Sequence, residues 1–192
     1  MQHFLFASFT SLYTVIPPYV LDLGGDEWQI GIVVGSFGMV SLVARPFAGR
    51  WTYLLGAKSI GIAGISIIGI SSILHIFAFN IWILILVRVL QGVGMALAPI
   101  ATQTIAANLA PPAKRARAMA AMGNSTAFTY MYAPVLAFWL ITFGFPASFI
   151  YSGASALLGV LLMLRISSVR TAFPPSATAV GRVPLVSRTA IF

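Results

Sequence analysis

The chain has no cysteine, three acidic residues and two histidines among its 192 residues. Without cysteine there is no disulfide framework and no thiolate metal site. His3 and His75 are too few and too far apart in the sequence to suggest an imidazole metal site, so no metal or other cofactor is expected. Charged residues of both signs make up 7%, against about a quarter in a water-soluble domain. That excludes a soluble globule. Chemistry in a bilayer usually needs a convergent set of His, Asp, Glu, Cys or metal. None converges here, and an enzyme is not expected.

Apolar sequence fills the space that charge leaves. The chain is 59% hydrophobic with a mean hydropathy of +0.98. Six stretches are long enough to cross a bilayer, at about 3–21, 30–47, 59–79, 81–105, 118–143 and 147–164. An all-α membrane bundle over residues 1–166 is therefore predicted, with the lipid bilayer as its first partner. Residues 167–192 are rich in Ser, Thr, Pro and Arg and lack any acid, and read as a cytoplasmic, mostly disordered tail or the start of a central loop.

Charge fixes the expected orientation. Arg45, Arg50, Lys58, Lys114, Arg115, Arg117, Arg165, Arg170, Arg182 and Arg188 all fall at one side of the six spans. The opposite loops, near 22–29, 80 and 144–146, hold no Lys or Arg, and the first carries Asp22, Asp26 and Glu27. The positive-inside rule places both termini in the cytoplasm of a multi-pass protein, with the plasma (inner) membrane as the expected home. It also accounts for the net charge of +8 without nucleic acid as a partner.

The remaining base, Arg88, lies in the apolar run 81–109. A guanidinium in hydrocarbon costs a few kcal/mol on insertion scales, so it normally faces a polar cavity or a partner. A snorkelling arginine near an interface is the alternative. Gln91, Gly92, Gly94 and Pro99 follow on the same helix. Pro17 and Pro18 are expected to bend or break the outer end of the first span. In the second span Gly31, Gly35, Ser36, Gly38 and Ser41 recur at helical spacing and predict a close-packing face. The glycines of the third span predict another, and His75 is expected to be interfacial or in the core. Residues 45–58 read as a short connection in which Gly49 and Gly56 bracket a tight turn. The fifth span contains Gly123, Asn124, Ser125, Thr126, Thr129, Tyr130, Tyr132 and Pro134, and its hydroxyls and amide are too many for a helix that faces lipid all round.

The two triplets of spans echo each other. Spans one and four carry proline in their later halves, as do spans two and five, at Pro46 and Pro134. The first loop is acidic and its counterpart at 110–117 basic, the sign change that an inverted three-plus-three repeat requires.

In this order the segments resemble the N-terminal half of a major facilitator superfamily transporter over about residues 1–166. Gly49, Arg50, Gly56 and Lys58, preceded by Arg45 and Pro46, match the frame of the family's cytoplasmic loop between helices two and three, which helps gate that side. Tyr53 and Leu54 stand where the family usually has Asp and Arg. Arg88, Gln91, Gly92 and Gly94 look like its fourth-helix motif, whose arginine is associated with the central cavity and proton coupling. Gly123 to Pro134 resembles the antiporter-associated fifth-helix motif, with Ala133 in place of its glycine. The resemblance implies a secondary carrier of a small solute, an exporter being one form of it, with Arg88, Gln91, Asn124, Tyr13 and Tyr132 as its polar lining. Gly92, Gly94, Pro99, Gly123 and Pro134 would serve helix packing and kinks. A full member has twelve helices, so a fragment, a truncated product or a half that pairs with a second six-helix half is expected, whether a missing C-terminal half or a dimer mate. The other reading is a non-transporting membrane scaffold or assembly subunit that keeps the half-fold.

Overall fold

The computed structural model describes residues 1–166; the tail expected at 167–192 lies outside the described residues. Six helices follow in order: α1 (Gln2–Asp22), α2 (Glu27–Leu55), α3 (Ala57–Leu74), α4 (Ile81–Leu109), α5 (Arg115–Ile141) and α6 (Phe145–Leu164). No strand occurs among the described residues. Short 3-10 turns at His75–Phe77 and Pro112–Lys114 complete α3 and precede α5.

Local chemistry sets these limits. The Asp26 carboxylate accepts from the Gln29 amide at 2.8 Å while Gln29 Oε1 accepts from the Asp26 amide at 3.1 Å, a capping box that starts α2. Asn80 Oδ1 accepts from the Ile83 amide at 2.9 Å and starts α4 in the same way.

Two expectations need correction. Residues 45–55 are not a connection: α2 runs unbroken to Leu55, about 44 Å of helix. Gly49 lies inside it, and the turn to α3 is made by Gly56 alone, at φ +87°, a conformation that side chains with a Cβ rarely adopt. Pro17 and Pro18 do not end α1, which continues to Asp22. Beyond them Tyr19 and Val20 are buried in an outer apolar cluster with Val15, Ile16 and Phe149. Burial of that turn offsets the roughly 3 kcal/mol a proline costs in a helix.

The packing follows the triplets. α4 packs chiefly on α2 and α3, α1 chiefly on α5 and α6, and α3 meets α6. The first helix of each triplet is thus clasped by the second and third of the other, as a three-plus-three repeat produces. In sequence of contact the helices run α2–α4–α3–α6–α1–α5, an open arc whose two end helices, α2 and α5, bury the fewest residues for their length. By length and composition five of the six are apolar enough to cross a membrane; α5 falls short, its hydroxyls and first-turn arginines lowering its hydropathy.

Close backbone approach holds the middle of the arc. A Cβ added to Gly64 of α3 would lie 2.7 Å from the Ala98 amide nitrogen of α4, and one added to Gly94 would lie 2.8 Å from the Gly64 carbonyl oxygen. Gly92 stands in the same relation to the Phe37 carbonyl of α2, at 2.8 Å. The small residues of α2 behave differently from expectation. Gly31, Gly35 and Gly38 meet nothing within 4 Å, and α2 packs instead through Val33, Phe37, Ser41, Ala48 and Thr52. Between α1, α3 and α6 a buried serine knot replaces apolar contact. Ser152 Oγ donates to the Ser8 carbonyl at 2.7 Å and lies 2.8 Å from Ser8 Oγ and 3.1 Å from Ser72 Oγ.

Gly64→Ala is therefore expected to destabilise the bundle by about 1–3 kcal/mol, because the intruded neighbour is backbone and cannot rotate away. Gly35→Ala should be neutral or mildly stabilising, since alanine is the better helix former by about 1 kcal/mol. Thermal unfolding of the two variants in the same detergent compares them directly.

Candidate functional site

The open side of the arc holds a cavity of about 590 Å³, walled by Phe6 and Phe9 of α1, Phe37, Gly38, Ser41, Leu42 and Arg45 of α2, Met95, Pro99 and Gln103 of α4, and Tyr130 of α5. A second hollow of about 400 Å³ shares Phe6, Gln103 and Tyr130 and continues along α5 past Met119, Gly123 and Thr126. The two form one groove between α2 and α5, floored by α1 and α4. Its walls are largely aromatic. The rings of Phe9 and Phe37 stack with centroids 5.2 Å apart, and Phe6 meets Phe9 at 6.5 Å and Tyr130 at 6.0 Å. The one charged side chain in the walls is the exposed Arg45.

Arg88 lies behind this wall. It is fully buried, as is Gln91 one helical turn on. Arg88 Nη1 donates to Gln91 Oε1 at 2.6 Å, and the guanidinium carbon sits 4.7 Å from the centroid of the Phe37 ring, within the range of a cation–π contact. Phe37 therefore stands between the guanidinium and the cavity. Arg88 Nε and Nη2 and Gln91 Nε2 have no acceptor among the described residues. Three donors are held in a buried place by the packing of α4 on α2, with only Asp22, Asp26 and Glu27 as acids in the whole chain, all at the α1–α2 turn.

The other expected residues scatter. Pro99, Arg45 and Gly123 are in the groove walls. Tyr13 is half exposed beside Phe9, with ring centroids 5.8 Å apart. Asn124 is exposed on α5 and lines neither hollow. Tyr132 is turned away from the groove and bonds His3, at 2.9 Å. Gly123 meets no neighbour within 4 Å and so packs no helix. Arg50 is exposed on the last turns of α2, and Lys58 Nζ donates to the Leu164 and Ile166 carbonyls at 3.1 and 2.5 Å, tying α3 to the end of α6. His75 is fully buried, its Nδ1 2.6 Å from the Ser71 carbonyl, which obliges that nitrogen to carry the proton.

Sequence reasoning missed the aromatic wall. Phe6, Phe9 and Phe37 read as ordinary apolar residues, and only the packing directs them to one space. A signal existed in the three-residue step from Phe6 to Phe9, which places both on one face of α1.

The described residues form a polar-backed, aromatic-walled groove in a six-helix membrane bundle, and the comparisons with known proteins point the same way. The model of the Major Facilitator Superfamily matches residues 1–192. Multidrug resistance protein 2 of Bacillus subtilis (strain 168) is 25% identical over 162 residues, 82% of this chain and 40% of that protein. Quinolone resistance protein NorA of Staphylococcus aureus is 22% identical over 150 residues, 78% of this chain and 39% of the relative. Inner membrane transport protein YajR of Escherichia coli (strain K12) is 31% identical over 123 residues, 64% and 27%. The chain thus spans about two fifths or less of the length of these relatives. With the match over its full length, the six-helix fold and the membrane-spanning composition, this chain is an integral, multi-pass membrane protein belonging to the Major Facilitator Superfamily.

Proposed function

We propose that the chain is the N-terminal half of a secondary carrier, bundle 1–166 followed by the start of a central loop at 167–192. In this reading it moves a small solute by rocking against a second six-helix half around a site near the bilayer midplane. The observation that carries the reading is the buried Arg88–Gln91 pair with three unused donors, separated from an aromatic groove by a single ring, Phe37. Such donors are costly to leave unmade, at about 1–3 kcal/mol each, unless an acceptor reaches them in part of the working cycle. An anionic or acceptor-bearing solute, or water carrying a proton, fits that need. The aromatic walls suit a flat apolar body, and the relatives named for multidrug and quinolone resistance support an exporter of aromatic compounds.

The rest of the arrangement agrees. The end helices α2 and α5 expose Met39, Leu42, Val43, Phe138 and Trp139, the flanks where a second half, in the same chain or a dimer mate, would close the groove. Both termini are cytoplasmic in this proposal, in the plasma (inner) membrane, with Arg45, Gly49, Arg50, Gly56 and Lys58 at the cytoplasmic gate. Tyr53 and Leu54 in place of the family's Asp and Arg favour the scaffold reading, so the test must separate the two.

Cells expressing the chain together with a second six-helix half should expel a quinolone and an aromatic fluorescent dye. Arg88→Leu should cut that efflux by tenfold or more. No efflux with either partner arrangement, together with stable co-purification in a larger complex and no effect of Arg88→Ala, would instead establish the scaffold. Stability gives an independent reading of the pair. Gln91→Leu leaves Arg88 Nη1 without its acceptor and should cost about 1–3 kcal/mol. Adding Arg88→Met to it should recover most of that loss, because an apolar pair no longer has a buried charge to satisfy; thermal unfolding of the single and double variants measures the coupling.

A further inference from the structure

His3 sits where α1 meets α5 and α6, outside the Arg88 pair and outside both hollows. Its ring lies against the faces of Phe128 and Tyr132, with centroids 6.2 and 5.6 Å apart and planes inclined by 29° and 27°. Both of its nitrogens are engaged. Nδ1 is 3.0 Å from Thr129 Oγ1, and Nε2 is 2.9 Å from the Tyr132 hydroxyl.

Proton accounting fixes the roles. A threonine hydroxyl has one proton, and that of Thr129 is donated to the Ser125 carbonyl at 2.9 Å. Thr129 Oγ1 can then only accept from the imidazole, so His3 Nδ1 carries a hydrogen. In the neutral ring Nε2 is bare and accepts from the Tyr132 hydroxyl. The Tyr132 hydroxyl also has Tyr151 of α6 as a neighbour, and this gives it a second place to direct its proton.

We propose that His3 is a proton-binding site, and that proton uptake reverses the Tyr132 hydroxyl. In the neutral state Tyr132 donates to Nε2. When a proton from water binds Nε2, that nitrogen donates to the Tyr132 oxygen, and the Tyr132 proton turns to Tyr151. Each His3 nitrogen keeps its hydrogen-bond partner in either state, and the N–H bond that forms replaces an O–H bond of hydronium, which leaves as water. The faces of Phe128 and Tyr132 suit the added charge, since aromatic faces attract cations.

The neighbouring charges leave the site to the histidine. The titratable groups facing it are Tyr132 on α5 and Tyr151 on α6, with the Met1 amine two residues before it on α1. The spans of α3, α4, α5 and α6 carry no Asp or Glu, and Asp22 is at the far end of α1, about 28 Å away. Arg115 and Arg117 lie at least three helical turns before Thr129 on α5, Arg45 and Arg50 are on α2, and Lys58 is bound to the end of α6. In a bundle whose membrane part has no carboxylate, this is a place where a proton can enter with a partner for each imidazole nitrogen. It lies directly behind the groove wall, because Phe6 is one turn from His3 and Tyr130 is between Thr129 and Tyr132. The proposal does not depend on the transport reading.

NMR of the full chain in lipid nanodiscs, with isotope-labelled histidine, tests it. Only two imidazoles contribute, and His3→Gln assigns them. At high pH His3 should hold its proton on Nδ1 with Nε2 bare, and acidification should protonate Nε2. Tyr132→Phe should lower the imidazolium fraction at a fixed mildly acidic pH by roughly three- to tenfold, since the charge-assisted bond it removes is the stronger one. Thr129→Val should release the fixed tautomer into a mixture. A proton on Nε2 at high pH, an imidazole that stays neutral until the chain unfolds, or an imidazolium fraction indifferent to Tyr132→Phe would each overturn the proposal.

Discussion

A guanidinium without a carboxylate is the constraint around which this bundle is arranged. Arg88 is fully buried, yet all three acids of the chain lie at the α1–α2 turn. Removing such a charge from water costs several kcal/mol even after relaxation. What offsets the cost here is an amide one turn away and the face of Phe37. Neither neutralises the charge.

The packing makes that arrangement possible. Gly92 lets the backbone of α4 meet that of α2 at the level of Phe37, and Gly94 with Gly64 does the same towards α3. In a bilayer, where apolar side chains gain little by leaving lipid, contact of this kind and buried hydrogen bonds such as the Ser8–Ser72–Ser152 knot are what hold helices together. The outcome is a centre, α4–α3–α6–α1, in which each helix packs on two principal neighbours, and two ends, α2 and α5, each held chiefly by one. Those ends carry the two side walls of the groove. His3 ties one of them, α5, to α1 through the hydroxyls of Thr129 and Tyr132 as well as through ring stacking.

Much of this was legible in the chain. Charge asymmetry, six apolar stretches and the resemblance to the superfamily gave the class and the triplet architecture, because hydropathy and basic loops act locally and leave a linear trace. Helix limits were less legible. Residues 45–58 read as a short connection because bases and glycines cluster there, yet a helix end exposed to water tolerates both as well as a loop does. Both α2 and α3 carry glycines a turn apart, but with opposite fates: Gly64 meets Ala98, whereas Gly35 meets nothing. Spacing shows that a face is small, not which neighbour covers it. For the same reason Arg88 and Gln91 could be paired from their three-residue step, but the Phe37 ring between them and the groove could not. Nor could the turn of Tyr132 away from the groove towards His3.

If a second half closes over the α2–α5 groove as proposed, that groove is wet, and the apolar hollow between α3 and α6, lined by Ile70 and Leu157, faces lipid. The native chain has no cysteine, so single cysteines report cleanly. A membrane-impermeant maleimide applied from the Arg45 side to the full chain in vesicles should label Gly38→Cys and Gln103→Cys and leave Ile70→Cys, on the apolar α3–α6 groove, unlabelled. Labelling of Ile70→Cys as fast as the other two, or no labelling at positions 38 and 103, would contradict the account.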